Sequence, residues 1–166
     1  MLKRISQLIV VVSLCVLSGC SGFRPLYGTA SGGGSVAADM SALAVEEQHT
    51  RAGQILRNEL LDGVRPGLAR YTLKLDVTES VIDVASLSST LGSRRRYALT
   101  AHYELIDSIS SKSLMTGNSF SNVEFDTINV PVSDLQASDD ARMRASKELG
   151  QDLRLRIATF LSSSKG

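Results

Sequence analysis

At 166 residues the chain is long enough for one domain and little more, with 43% hydrophobic, 21% charged and 5% aromatic residues. Eighteen Lys and Arg against 17 Asp and Glu argue against a chain that holds nucleic acid by its overall charge, so any basic recognition is local. No Trp, four Phe and four Tyr leave few rings on which bases or sugars could stack.

Residues 1–19, MLKRISQLIVVVSLCVLSG, place two cations, Lys3 and Arg4, ahead of an apolar run from Ile5 to Leu17 broken only by Ser6, Gln7 and Ser13. This is the order of a secretory signal peptide. The run is shorter than the roughly 20 residues a permanent transmembrane helix needs. Leu17-Ser18-Gly19-Cys20 resembles the lipobox of bacterial lipoproteins, in which Leu17, Ser18 and Gly19 form the signal-peptidase recognition sequence and Cys20 becomes the mature N-terminus. Only a thiol forms the thioether that carries a diacylglycerol, and small side chains before it admit the peptidase to the bond. The alternative, an ordinary signal peptide, leaves Cys20 as an odd thiol, because Cys15, the other cysteine, lies inside the apolar run. The resemblance implies a covalent diacylglycerol and an N-acyl lipid on Cys20. At about 0.8 kcal/mol per buried methylene, several chains anchor permanently. Ser21 rather than Asp after the cysteine implies sorting to the outer membrane. Without Lys3 and Arg4 the chain from Cys20 onward has 16 basic and 17 acidic residues, a formal charge of −1.

Residues 20–38 read as a lipidated N-terminus and a flexible tether, rich in Ser, Gly and Ala and including Gly32-Gly33-Gly34. Phe23, Leu26 and Tyr27 are apolar side chains a plain spacer does not need. They either dock onto a partner or lie against headgroups or the domain. From Met40 a short strand runs through Leu43 and Val45. A helix comes next, from about Thr50, which can cap it, to Leu61, with Gly63 as its stop. Ala52, Ile55, Leu56, Leu60 and Val64 share one side of it. Pro66-Gly67 is a turn. Tyr71, Leu73, Leu75 and Val77 then alternate with polar residues, the period of a half-buried strand, and the alternation slips at Glu79-Ser80, which predicts a bulge.

After a polar connection, Ala85 to Ser93, the residues Tyr97, Leu99, Ala101, Tyr103 and Leu105 share one face of a second long strand. Asp107 to Ser113 reads as a hairpin loop and Leu114 to Phe125 as a third, weaker strand. Pro131 punctuates. From about Asp134 to Leu161, Ala141, Ala145, Leu149, Leu153, Ile157 and Phe160 mark one helical stripe, with Asp134, Asp139 and Asp140 near its favourable N-terminal end. The order β-α-β-β-β-α predicts an α+β fold over residues 39–166. It is a two-layer sandwich, an approximately four-stranded, mostly antiparallel sheet with two helices on one face.

Nothing in the spacing points to catalysis or a metal. His49 and His102 are the only histidines, the residue type suited to shuttling protons near neutral pH, and neither has a neighbouring constellation. No phosphate-binding glycine loop and no paired-ligand spacing occurs. The expectation is a protein that is not an enzyme and has no cofactor beyond the lipid on Cys20. The one local charge concentration is Arg94-Arg95-Arg96. In a strand Arg94 and Arg96 face one way and Arg95 the other. Three arginines at a sheet end could engage an anionic headgroup bidentately; a solvated turn is the other reading. Arg142, Arg144, Lys147, Arg154 and Arg156 are interleaved with acids and read as a solvated face.

Leu17-Ser18-Gly19-Cys20-Ser21-Gly22-Phe23-Arg24-Pro25-Leu26-Tyr27-Gly28 resembles the N-terminus of LptE-type lipopolysaccharide-assembly lipoproteins, in the branch bearing C-G-F-R-P-L-Y-G, with Ser21 inserted after the cysteine. Arg51-Ala52-Gly53-Gln54-Ile55-Leu56-Arg57-Asn58-Glu59-Leu60 is similar to that branch's first helix, and Tyr97-Ala98-Leu99 through Tyr103-Glu104-Leu105-Ile106-Asp107 to its central strand and turn. The resemblance implies a partner protein for the LptD β-barrel that helps assemble it and binds lipopolysaccharide on its way to the outer leaflet. It places the body on the periplasmic side of the outer membrane or inside the barrel lumen. That Arg94, Arg95 and Arg96 contact lipopolysaccharide is an expectation from their clustering, not a position carried over from the family. A general envelope scaffold for another barrel machine or for peptidoglycan is the alternative, and an envelope hydrolase, which a single His or Asp substitution would inactivate, is the third.

Overall fold

The structure is a computed structural model that describes residues 36–62, 64, 69–86 and 92–164. Leu17, Ser18, Gly19, Cys20, Phe23, Leu26, Tyr27, Gly63 and the Pro66-Gly67 turn lie outside the described residues. The elements in chain order are α1 (Val36–Ser41), β1 (Leu43–Val45), α2 (Arg51–Leu61), β2 (Tyr71–Ser86), β3 (Ser93–Asp107), β4 (Lys112–Thr127) and α3 (Pro131–Ser163). The strands form one sheet in the order β1-β2-β3-β4. β1 is parallel to β2, and the other pairs are antiparallel. This is the predicted α+β sandwich with one helix added in front. The first strand begins at Leu43 rather than Met40, because residues 36–41 are helical and bury Met40.

Lengths explain the architecture. A 33-residue helix and strands of 15 or 16 residues each span about 50 Å, so α3 runs the whole sheet. It runs antiparallel to β4, with Glu148 meeting Ser121 and Asp152 meeting Ser119. Tyr71, Leu73 and Leu75 of β2, Tyr97 to Leu105 at every second residue of β3, and Val123 and Phe125 of β4 form the sheet's half of the core. Ala141, Ala145, Leu149, Leu153, Ile157 and Leu161 form the helix's half. On β4 the core face also buries Ser119 and Ser121, whose hydroxyls donate to Asp152 and Glu148; a buried hydroxyl is tolerated once it has such a partner.

Local chemistry sets the element ends. Thr50 caps α2 as predicted, its Oγ1 accepting from the Gly53 amide at 3.1 Å. The Arg57 Nε donates to the Val45 carbonyl at 3.2 Å, tying α2 to the short edge strand. Pro131 opens α3 at its first turn, where a missing N–H costs nothing, so the helix begins before the predicted Asp134. Asp134 accepts from the Ile128 amide at 2.8 Å. The tight β3–β4 hairpin is gathered by the Asp107 carboxylate, which accepts from the Ser110 and Ile109 amides, with Ser111 in the left-handed region at φ 55. Those amide bonds, the Ser110 amide first, hold the Asp107 carboxyl below its usual range against the opposing effect of desolvation. Gly92 enters β3 at φ 95, and a Cβ there would meet the Thr127 carbonyl oxygen at 1.7 Å.

The bulge predicted at Glu79-Ser80 lies further on. The β2–β3 register is unbroken from Tyr71 to Asp83 and shifts between Asp83 and Ala85. What changes near Glu79 is cover, not register: residues 78–85 are all exposed. The sheet therefore has a proximal end, where β1, α1, α2 and the β3–β4 hairpin lie, and a distal end marked by Ser86, Ser93 and Thr127.

Candidate functional site: the distal arginine cluster

Arg94, Arg95 and Arg96 lie inside β3 rather than in a solvated turn, because β2 and β3 stay paired as far as Ser86 and Ser93, residues that the sequence pattern places in the connection. Strand alternation sends Arg94 and Arg96 to the uncovered face and Arg95 to the helix side. Cross-strand register then places a carboxylate opposite each. Arg94 grips Asp126 through Nε at 2.9 Å and Nη2 at 3.3 Å, Arg96 reaches Glu124 at 2.7 Å and Arg95 reaches Asp83 at 2.8 Å. The Asp126 hydrogen bond and charge hold the Arg94 guanidinium above its ordinary value, and Arg94 in return holds the Asp126 carboxyl below its own. The three side chains are 51%, 43% and 39% exposed, so each retains donors facing solvent.

One step inward along the sheet, the Tyr97 hydroxyl donates to Glu79. Arg142 of α3 donates to Glu79 at 3.3 Å, pairs with Asp139 and lies with its guanidinium carbon 5.7 Å from the Tyr97 ring centre. Burial first, then the bond to Glu79, pushes the Tyr97 hydroxyl well above its ordinary value. Arg142 is opposed by burial but held above its ordinary value by Tyr97 and Glu79. This knot pins α3 over β3, and it marks where helix cover of β2 gives out. Around it and beyond lie exposed Val81, Ile82, Val84, Ile128, Val130, Val132 and Leu135.

The remaining polar groups do not converge. His102 is exposed, its Nδ1 2.7 Å from the Asn118 amide oxygen on the uncovered face. His49 lies in the β1–α2 connection, where it helps line a hollow with Asp76 and Val77. Among the described residues no group of three or more His, Cys, Asp or Glu could hold a metal ion. Arg144 and Arg156 pair with Asp140 and Asp152 one helical turn before them, as a solvated face does. Near the proximal end, Met115, Leu155, Thr159 and Phe160 line a shallow groove of about 470 Å³ beside the Asp152–Arg156 pair. Among the described residues no helix is long and apolar enough to cross a membrane.

The sequence singles out the three arginines but not Asp83, Glu124 and Asp126, which stand 12, 28 and 32 residues away. Only the strand register reveals them, and the alternation of β4 carries that register weakly.

No family model and no curated protein matches the sequence. Among solved structures the chain is similar to a protein described as a lipoprotein from Caulobacter crescentus CB15, with a TM-score of 0.67 and 22% identity over 76% of this chain and 96% of that one. It is more distantly similar to a minor lipoprotein from Acinetobacter baumannii, with a TM-score of 0.48 and 16% identity over 70% and 88%. The rare lipoprotein B from Shewanella oneidensis gives 0.43 and 14% over 74% and 93%. At these identities the likeness is one of fold: the chain shares the architecture of the Caulobacter protein over nearly all of that protein's length.

Proposed function

We propose that this chain is a non-enzymatic lipoprotein of the outer membrane. It is anchored through Cys20, partners and helps assemble an LptD-type β-barrel, and binds lipopolysaccharide during delivery to the outer leaflet. One conjunction carries the reading. A lipobox, Leu17-Ser18-Gly19-Cys20, and the Phe23-Arg24-Pro25-Leu26-Tyr27-Gly28 block precede a body that shares its fold with a protein described as a lipoprotein. The absence of a convergent catalytic group among the described residues is compatible with a partner role.

Arg94, Arg95 and Arg96 are the assigned contact for lipopolysaccharide phosphate or carboxylate. Each already holds a carboxylate, so an anionic ligand exchanges with or shares Asp126, Asp83 and Glu124 instead of filling an empty site. Exchange at exposed pairs is cheap, because solvent and salt screen their attraction. Replacing all three arginines with Ser leaves the melting temperature nearly unchanged and weakens lipopolysaccharide binding more than about tenfold, the loss of one charge-assisted contact or more. Unchanged affinity removes the assignment. The neutralised state of the cluster favours a second reading, a general envelope scaffold for another barrel machine or peptidoglycan. Purified peptidoglycan retained by the protein, with no affinity for lipopolysaccharide, is its signature.

A further inference from the structure

From Thr78 to Ala85, eight consecutive residues of β2 are exposed on both faces of the strand. The reason is geometric. β1 pairs with β2 only at Tyr71, Thr72 and Leu73, and the β1 lane is then continued for one step by the Gln48 side chain, whose Nε2 donates to the Leu75 carbonyl at 3.2 Å. The chain next leaves the sheet for α2. The Tyr71 amide and the Leu73 and Leu75 carbonyls all point into that lane. By strand alternation the N–H and C=O of Val77, Glu79, Val81 and Asp83 point there too, since the register is unbroken to Asp83. Among the described residues nothing pairs with them.

A bare edge of this kind is a template for another strand, and proteins ordinarily blunt one with proline, lysine or a covering element. Residues 77–83, VTESVID, contain neither proline nor lysine and are rich in β-branched side chains. At the point where β1's lane ends, Glu46, Glu47, Gln48, His49 and Asp76 help line a hollow of about 480 Å³. None of its three carboxylates has an ion-pair partner among the described residues. The open lane and the acidic hollow are continuous.

We propose that the outer edge of β2, Val77 to Asp83, accepts one extended strand of a partner protein. That strand continues the lane of β1, with small or apolar side chains along the edge and a lysine or arginine at the end that reaches Glu46, Glu47 and Asp76. Charge selects this occupant over a second copy of the chain. Two-fold pairing of the edge with itself would bring residues 77–86 of a second copy along the lane, and that stretch holds no lysine or arginine to answer Glu46, Glu47 and Asp76. The inference rests on the partner reading above and takes the barrel as the source of the strand.

The test is hydrogen exchange on the full-length lipidated protein, free and in complex with a barrel that co-purifies in mild detergent. The amides of Val77, Glu79, Val81 and Asp83 exchange fast in the free protein and at least about tenfold more slowly in the complex, as a closed ladder requires. Val81→Pro removes one outward N–H without touching the β3 ladder, and it lowers barrel retention while the free protein still melts cooperatively. Fast exchange at all four amides with the barrel bound overturns the inference and leaves the partner reading standing. Protection already present in the free monomer assigns the edge to another segment of the same chain, and protection that appears only with dimers assigns it to a second copy; both overturn it. Absence of any barrel removes the inference and the partner reading together.

Discussion

The proximal and distal ends of the sheet are made from the same three long strands and differ in what lies over them. At the proximal end β2 alternates between buried Tyr71, Leu73 and Leu75 and solvated partners, with α2 tied to β1 above it. Beyond Val77 the same strand is exposed, apart from the Glu79 carboxylate held by Tyr97 and Arg142, and its edge has no partner among the described residues, while β3 and β4 remain under α3. Stability and availability are thus separated along one strand. Burial of proximal β2 and of β3 and β4 beneath α3 holds the fold, so the distal end can present arginines, exposed apolar side chains and an edge with no partner among the described residues without jeopardising it.

The largest expected effect contrasts the two halves directly. Leu105→Ala empties a fully buried site opposite Leu73 and costs about 2–5 kcal/mol in denaturant unfolding. Val81→Ala, on a side chain 46% exposed, stays within about 0.5 kcal/mol. Comparable losses at both sites would mean the distal half is covered in the folded protein.

Next is the contact between the two helices. A Cβ at Gly150 would come within 2.7 Å of the Glu59 Cγ and 2.9 Å of its Cβ. Gly150→Ala therefore pushes α2 away from α3 and costs about 1–3 kcal/mol, read as a lower melting temperature.

A smaller effect comes from the seam between α3 and β4. Burial opposes ionisation of Asp152, but the Ser119 hydroxyl and Arg156 outweigh it and hold its carboxyl below the ordinary value. A carboxyl lowered by folding stabilises fully above its unfolded value, near 3.9, and loses that contribution as pH falls through the folded value. Asp152→Asn is therefore less stable at neutral pH, by no more than about 1 kcal/mol for a pair this exposed. Melting curves of the two proteins converge in acid below about pH 4. A gap that persists there places the effect in packing.

The smallest stability effect sharpens the functional contrast. Asp126→Asn frees Arg94 with no measurable change in melting temperature, because the pair is exposed and screened by solvent. If the cluster receives lipopolysaccharide, the variant binds it more tightly than the parent. Weaker binding would mean that Asp126 serves the ligand instead of competing with it.

Legibility in the sequence divides along the same line. Elements that bury a face announce themselves: Tyr71 to Leu75, Tyr97 to Leu105, the α3 stripe and the Thr50 cap are all local patterns. Ile82 and Val84 mislead because apolar residues without cover look like a core strand changing phase, and cover is a tertiary property. β4 looks weak because Ser119 and Ser121 occupy core positions, and only the carboxylates of α3, 27 and 33 residues on, make that acceptable. The six-residue α1 carries too little pattern to read, and Pro131 reads as punctuation because its place at a first turn depends on the helix downstream of it. The arginines are visible as a triplet. Their neutralisation is not, since it requires the register of three strands.

The most direct test of the partner role is affinity purification of the membrane-extracted protein in mild detergent, with mass spectrometry of the chain's N-terminus and of whatever co-purifies in stoichiometric amount. The expected result is a mature chain that begins at an acylated Cys20 and carries one LptD-type barrel. A properly acylated chain recovered alone would contradict the partner claim and return the function to the scaffold reading.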